Sequence, residues 1–220
     1  MMAMEVQRAM MGTAPERLRA FRTRSQEYLR LGHDRLAAAR FVAGASGEFH
    51  GTALDIGTGK GLLAIELARR GMKVISVDVD SRERELAQLL SEEAGVAGRI
   101  SFEQIDAAHI PYADAQFGCV AMMDVLHHLA EPGPVLSEMA RVVGVGGMLV
   151  IADFNEQGFE LVSRVHRAEG REHPRTTATV AVAMKELMAA GFRCAACTNG
   201  HQHDVVVLQK QVAQGECRQP

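Results

Sequence analysis

From residue 52 to residue 210 the chain alternates between short apolar runs and stretches with helical spacing. "TALDI" (52–56), "KVISVDVD" (73–80), "ISFEQID" (100–106), "FGCVAMMD" (117–124) and "GMLVIADF" (147–154) read as strands. Most are continuous rather than alternating, as in a sheet covered on both faces. Between them, "KGLLAIELARRG" (60–71), residues 82–94 and residues 132–143 place apolar side chains three and four apart, as helices do. A further helix, "TATVAVAMKELMAAG", stops at Gly191. The last two strands, "FRCAACT" (192–198) and "DVVVLQK" (204–210), have no helix between them, and Asn199-Gly200 predicts a hairpin turn. The pattern predicts an α/β domain with an open parallel sheet that ends in one antiparallel strand.

Ahead of this lie about fifty residues rich in Arg, Ala and Met. "APERLRAFRTRSQEYLRL" (14–31) and "HDRLAAARFVAG" (33–44) read as two helices. The expected organisation is an N-terminal helical lid or extension over residues 1–50, one domain over 51–212, and a flexible tail over 213–220. Arg22, Arg24 and Tyr28 are candidates for the inner face of such a lid; a cover for a sheet edge or a dimer contact is the alternative. Residues 155–175 read as polar and irregular or part-helical.

Composition adds limits. The 220 residues are 47% hydrophobic and 23% charged with a net charge of -3, the profile of a soluble globular chain. No basic stripe supports nucleic-acid binding. No apolar run approaches the ~20 residues of a membrane span. Residues 1–11 lack an apolar signal region, and a cytoplasmic location is expected. Cys194 and Cys197 have C-x-x-C spacing, but three residues along a regular strand point to opposite faces. Two small buried side chains are therefore expected there rather than a redox or zinc pair.

The strongest chemical signal is "LDIGTGKG", between the first strand and its helix. Gly57 and Gly59 permit a tight turn that a ligand can approach, and Gly61 opens the helix. The dinucleotide fingerprint would need a third glycine at position 62, where the chain has Leu62. Asp55, just before the turn, would repel a diphosphate and suit a cationic ligand. Asp78, at the end of the second strand, can accept ribose hydroxyls or cap the next helix. Asp106 ends the third strand. Asp124, His127 and His128 follow the fourth.

Together "LDIGTGKG", "VISVDVD", "IDAAHIPYADAQFGCV", "MDVLHHL" and "MARVVGVGGMLVIADF" resemble the class I S-adenosylmethionine-dependent methyltransferases, in particular the small-molecule branch. The resemblance runs from Thr52 to Asp153, and the order of elements extends it to Lys210. It implies a three-layer, Rossmann-like, doubly wound sheet of order 3-2-1-4-5-7-6. It implies that Asp55, Gly57, Thr58, Gly59 and Gly61 cradle the methionine part of the cofactor. Asp78 would hold the ribose, Val79 would pack on the adenine, and Asp106 and Ala107 would contact it. Asp124 and Val125 would line the cofactor beside the sulfonium. The family's usual proline is missing from "RVVGVGG", where a small local effect is expected. The Asn-Pro-Pro-Tyr motif for amine nitrogens is absent too.

Six of the nine histidines fall where the topology predicts the carboxyl edge of the sheet. They read as polar loop residues, as a general base or substrate-orienting group, or as a metal site. His128 and His201 are the candidate bases. His166, His173, His201 and His203 are the candidate ligands of a divalent transition metal, with Glu169 or Glu172 as further donors. Arg164, Arg167, Arg171 and Arg175 could meet a substrate carboxylate or phosphate.

The expected activity is in-line methyl transfer to a small-molecule or metabolite-like acceptor by a monomer or homodimer, without nucleic acid or membrane. The alternatives are a non-catalytic sensor of cofactor or metal, or a methyltransferase working with a corrinoid or metal-containing partner. The corrinoid pattern D-x-H-x-x-G is absent from this chain.

Overall fold

Seven strands form one sheet in the order β3-β2-β1-β4-β5-β7-β6 in the computed structural model, which describes residues 12–47, 51–173 and 175–212. The expected flexible tail, 213–220, lies outside the described residues, as do residues 1–11. The strands are β1 (Thr52–Ile56), β2 (Lys73–Asp78), β3 (Ile100–Gln104), β4 (Phe117–Met123), β5 (Val143–Phe154), β6 (Phe192–Gly200) and β7 (His203–Lys210). β1 to β5 pair in parallel, and β7 runs antiparallel between β5 and β6. The expected order and the expected antiparallel ending are both present.

The helices are α1 (Ala14–Arg30), α2 (Arg35–Ala45), α3 (Leu62–Arg69), α4 (Arg84–Glu93), α5 (Pro132–Val142), α6 (Glu156–Ala168) and α7 (Val180–Ala189). Their starts follow local chemistry. Thr13 and Glu16 form a reciprocal capping box on α1. Asp34 accepts from the amides of Leu36 and Ala37, each at 3.0 Å, and fixes the start of α2. Asn155 caps α6 through Gly158, so the segment read as irregular or part-helical is helical over Glu156–Ala168.

Two apolar clusters sandwich the sheet. Leu54, Val120, Met122, Leu149 and Ile151 face α5 and α7; Ala53, Cys119, Ala121, Val150 and Val207 face α2 and α3. The N-terminal helices belong to this packing. α2 buries Ala38, Ala39, Val42 and Ala43, and α1 is tied to α4 by Arg17 to Glu85 and by Arg22 to Glu93 at 2.7 Å.

Two local expectations fail. The β6–β7 turn is not at Asn199-Gly200 but at His201-Gln202, with φ of +51° and +63° and Gly200 paired to His203. Tertiary contacts override the local preference. The tip of the Phe41 ring lies against Gly200, where a Cβ would approach it to 3.0 Å, and Gln202 is held by His33 at 2.8 Å. The second failure concerns Cys194 and Cys197. The register of β6 slips between Cys194 and Ala196. This bulge brings both sulfurs to one side, 2.9 Å apart, and leaves Cys197 exposed.

Candidate active site

β1 and β4 are neighbours, and the chain leaves them in opposite directions across the sheet. Such a reversal opens a crevice at the carboxyl ends of the strands. Here the crevice is a cavity of about 260 Å³. The turn after β1 and the turn after β4 form its floor, and α1, α2 and α6 form its wall; the segment before α7 contributes His173.

The glycine turn makes one side. Gly57 has φ +82°, and its amide and that of Thr58 donate to the Val77 carbonyl at 2.9 and 3.1 Å. A Cβ on Gly57 would fall 2.1 Å from Val125 Cγ2, so only glycine lets the two turns close on each other. Gly59, φ +45°, donates its amide to Asp78 Oδ2 at 2.9 Å, and the space above it is open. Gly61, φ +73°, packs on Ala87 and starts α3. Asp78 Oδ1 accepts from the Asp80 amide at 2.9 Å. Each Asp78 oxygen keeps a lone pair for a further donor.

Beneath the turn, Thr58 and Ser76 join Asp55 in a buried chain. The Thr58 hydroxyl lies 2.7 Å from Ser76 Oγ, and Ser76 donates to Asp55 Oδ2 at 2.7 Å. Ser76 has no sequence signal of its own. Asp55 Oδ1 is shielded and without a partner among the described residues. Burial, helped by the nearby Asp78, pushes the Asp55 carboxyl up to about 7 against the Ser76 hydrogen bond. Val79 is 64% exposed beside this turn, a large apolar side chain in water. Asp78 lines a small recess that shares Thr58 with the main cavity. Asp106 and Ala107 lie farther out, beyond β3. Asp106 accepts from the Ala108 amide at 2.9 Å and lines neither space.

Imidazoles and cations make the other side. His127 is 1% exposed. Its Nδ1 donates to Asp153 Oδ1 at 2.6 Å, and its backbone amide donates to Asp153 Oδ2 at 2.8 Å. The carboxylate at the end of β5 thus fixes the ring, and Nε2 is shielded and unpartnered among the described residues, on a side chain that lines the cavity. His128 and His173 stack near it at centroid distances of 4.0 and 4.9 Å. Burial, and then His127 and His128, pull His173 down to about 4. Burial and then His127 also lower His128. Asp124, in a left-handed conformation at φ +59°, meets His203 Nε2 at 2.8 Å, while His203 Nδ1 donates to the His201 carbonyl at 2.7 Å. Burial lowers the His203 imidazole, but Asp124 and the His201 carbonyl outweigh it and leave the group raised.

The histidines expected to converge do not. His166 and His173 form a pair, Nδ1 to Nδ1 at 3.1 Å. His203 is fully buried against Asp124 on β7. His201 is exposed in the turn with its ring against Phe41, so it is corrected from candidate base and candidate ligand to a turn residue outside the cavity. Among the described residues no group of three or more His, Cys, Asp or Glu is placed to hold a metal. Glu169 pairs instead with Arg24 at 2.8 Å and with Arg171.

Of the candidate bases only His128 lines the cavity; beside it the structure pairs His127, which also lines the cavity, with Asp153. The signal for this pair was present, as a carboxylate at the end of one strand beside a histidine after its neighbour. Arg175 is paired with Glu156, whereas Arg24, Arg35 and Lys60 reach the cavity. Of the three residues named for the inner face of the N-terminal helices, Tyr28 and Arg24 line the cavity and Arg22 does not. Arg35 packs between Phe21 and Tyr28 at 5.2 and 5.3 Å, and its shielded Nη1 has no hydrogen-bond partner among the described residues.

Residues 54–151 match a family described as a methyltransferase domain. The chain is 38% identical over 106 residues to "Methyltransferase GfsG" of Streptomyces halstedii, covering 48% of this chain and 38% of that one. It is 36% identical over 102 residues to "27-O-demethylrifamycin SV methyltransferase" of Amycolatopsis mediterranei (strain S699), covering 46% and 38%. The matches thus span less than half the length of these relatives. Among solved structures, the [4+2]-cyclase SpnF superposes with a TM-score of 0.65 at 19% identity, covering 81% of this chain and 82% of that one, which shows the shared fold. The glycine turn, the strand-end acids and the sheet order agree with this match, and residues 54–151, a little under half of the chain, are similar to the methyltransferase domain family.

Proposed function

We infer that this chain transfers a methyl group from S-adenosylmethionine to a hydroxyl of a small-molecule acceptor. The observation that carries this reading is that the glycine turn and the cavity-lining His127, backed by Asp153, share one cavity.

The residues present fit the cofactor. The open space above Gly59 leaves room for the methionine part of the cofactor, and Asp55 Oδ1, buried beneath the turn and unpartnered among the described residues, would face its cationic amine. Asp78 would take the ribose hydroxyls, Val79 would cover the adenine, and Asp106 and Ala107 would reach its edge. Thr58 and Gly61 would hold the turn, and Asp124 and Val125 would stand beside the sulfonium. Arg35 would meet a carboxylate entering the cavity. When bound, S-adenosylmethionine supplies an electrophilic methyl group on a sulfur that leaves neutral. The protein's part is to hold the nucleophile in line and free of water.

His127 Nε2 accepts the acceptor's hydroxyl proton as the oxygen attacks, and Asp153 holds the tautomer that leaves Nε2 free. His128 and His173, kept neutral near pH 7 by burial and by their neighbours, flank that nitrogen without adding charge. Tyr28 and Arg24 close the cavity from α1. No finding supports the non-catalytic reading, and a divalent metal has no support among the described residues.

One relative carries the name "27-O-demethylrifamycin SV methyltransferase", which agrees with a hydroxyl acceptor. Among the described residues no helix is long and apolar enough to cross a membrane; the cytoplasm is the proposed location. The test is methyl transfer from labelled cofactor to a panel of phenols and alcohols, with cofactor affinity measured in parallel. Binding with transfer to at least one hydroxyl supports the reading. Absence of cofactor binding refutes it.

A further inference from the structure

Away from the cavity, three sulfur atoms meet between α7 and β6. The bulge in β6 turns Cys197 back to the side of Cys194, with 2.9 Å between the Sγ atoms. Cys197 Sγ lies 3.6 Å from Met184 Sδ on α7. Cys194 and Met184 are half-buried at the margin of the larger core cluster, and Cys197 opens the group to solvent. Both cysteines are free thiols.

We propose that Cys194, Cys197 and Met184 form a binding site for one soft monovalent d10 cation of the copper(I) type. Two thiolates and a thioether are soft donors, which select such cations over hard ones. Calcium and magnesium need oxygen ligands, and there are none in this group. Zinc takes four donors in structural sites, and no group of three or more His, Cys, Asp or Glu is placed for it among the described residues. A copper(I) ion is satisfied by two or three sulfurs.

On binding, each thiol loses its proton to water and each thiolate donates a lone pair to the cation. No electron changes hands. The sulfurs must then move apart from their present contact, since the cation sits between them. The bulged edge strand supplies that freedom, because Cys197 is exposed and meets α7 through the flexible thioether of Met184. A disulfide between Cys194 and Cys197 is the rival chemistry, and the thioether of Met184 has no part in it. The site is remote from the glycine turn, so it stands or falls independently of methyl transfer.

The test uses the full chain, reduced and handled without oxygen. It is titrated with copper(I) against a chromophoric copper(I) chelator, and free thiols are then alkylated and mapped by mass spectrometry. One equivalent of copper(I) is expected, with Cys194 and Cys197 protected from alkylation. Cys197→Ser should abolish tight binding, and Met184→Leu, which keeps the core volume, should weaken it by about tenfold. Cys217→Ser should leave it unchanged. Unchanged binding in Cys194→Ser/Cys197→Ser would overturn the proposal, as would protection of Cys217 alone. So would displacement by an equal concentration of zinc. A reduced chain that binds no copper(I) but loses two hydrogens on treatment with glutathione disulfide would identify a redox pair and overturn it too.

Discussion

The two sides of the cavity are built by different means. The side after β1 and β2 is made of backbone and carboxylates, with Gly57 and Gly59 at positive φ and Asp55 and Asp78 around them. Its residues lie within 25 positions of one another. The side around the ends of β4 and β5 is made of rings and a cation, with the Asp153 carboxylate behind them, brought from five separate stretches of chain: Arg24, His33, His127, Asp153 and His173. The first side suits an invariant cationic ligand and needs little beyond a turn. The second can change its occupant by changing one element at a time. Binding and chemistry should therefore separate when each side is damaged.

The largest expected effect is on the second side. His127→Gln should lower kcat by about 100- to 10,000-fold while leaving cofactor affinity within about twofold. Single-turnover methyl transfer and calorimetry on the same variant check both halves of the statement. Asp153→Asn should fall between this variant and the parent, because it loosens the ring without removing it. If His127→Gln lost cofactor binding instead, the division between the two sides would be wrong.

Next is Gly57→Ala on the first side. The new Cβ would lie 2.1 Å from Val125 Cγ2 at φ +82°. A side chain at that conformation costs ~1–3 kcal/mol, and the overlap adds to it. Thermal melts should show the loss, and cofactor affinity should fall at least about tenfold. Asp78→Asn should weaken the cofactor by a similar factor with little change in melting, since it keeps an acceptor for the Gly59 amide.

This contrast also explains what the sequence allowed to be read. Leu54 to Gly61 fixes its own geometry, so the turn and its acids follow from residues adjacent in the chain. The parallel sheet and its antiparallel ending follow from apolar runs and the one missing helix. His127 with Asp153 needs the parallel register of β4 and β5, which places Met123 opposite Ala152 and so brings the next residues of both strands together. His203 with Asp124 joins residues 79 positions apart. Cys194 with Cys197 depends on a bulge that no residue in "FRCAACT" announces.

A pH experiment sharpens the first side further. The Asp55 carboxyl rises from an ordinary 3.8 to about 7 because it is buried. Between these values the folded chain holds a proton that the unfolded chain has released, so stability falls as pH rises from about 4 to about 7. Asp55→Asn removes this slope. At pH 8 the variant without cofactor should be more stable than the parent by about 1–3 kcal/mol, read from denaturant melts at pH 5 and pH 8. A bound amine should reverse the cost in the parent and release a proton near pH 7, which calorimetry in buffers of different ionisation enthalpy detects.

The smallest expected effect separates an active-site histidine from one that only lies nearby. His201 sits at φ +51° in a two-residue turn and presents its ring to Phe41 outside the cavity. A non-glycine residue in that conformation is disfavoured by ~1 kcal/mol. His201→Gly removes the strain but also adds chain entropy and loses the ring contact. The net change should stay within about 0.5 kcal/mol, and kcat should be unchanged. A large loss of activity in His201→Gly would mean that the turn, through the His201 carbonyl that meets His203, governs the Asp124 pair and hence the cavity floor. His201→Asn then decides between ring and backbone. Asparagine tolerates the left-handed conformation and keeps the carbonyl in place, so restored activity would assign the effect to the turn, and persistent loss would assign it to the imidazole.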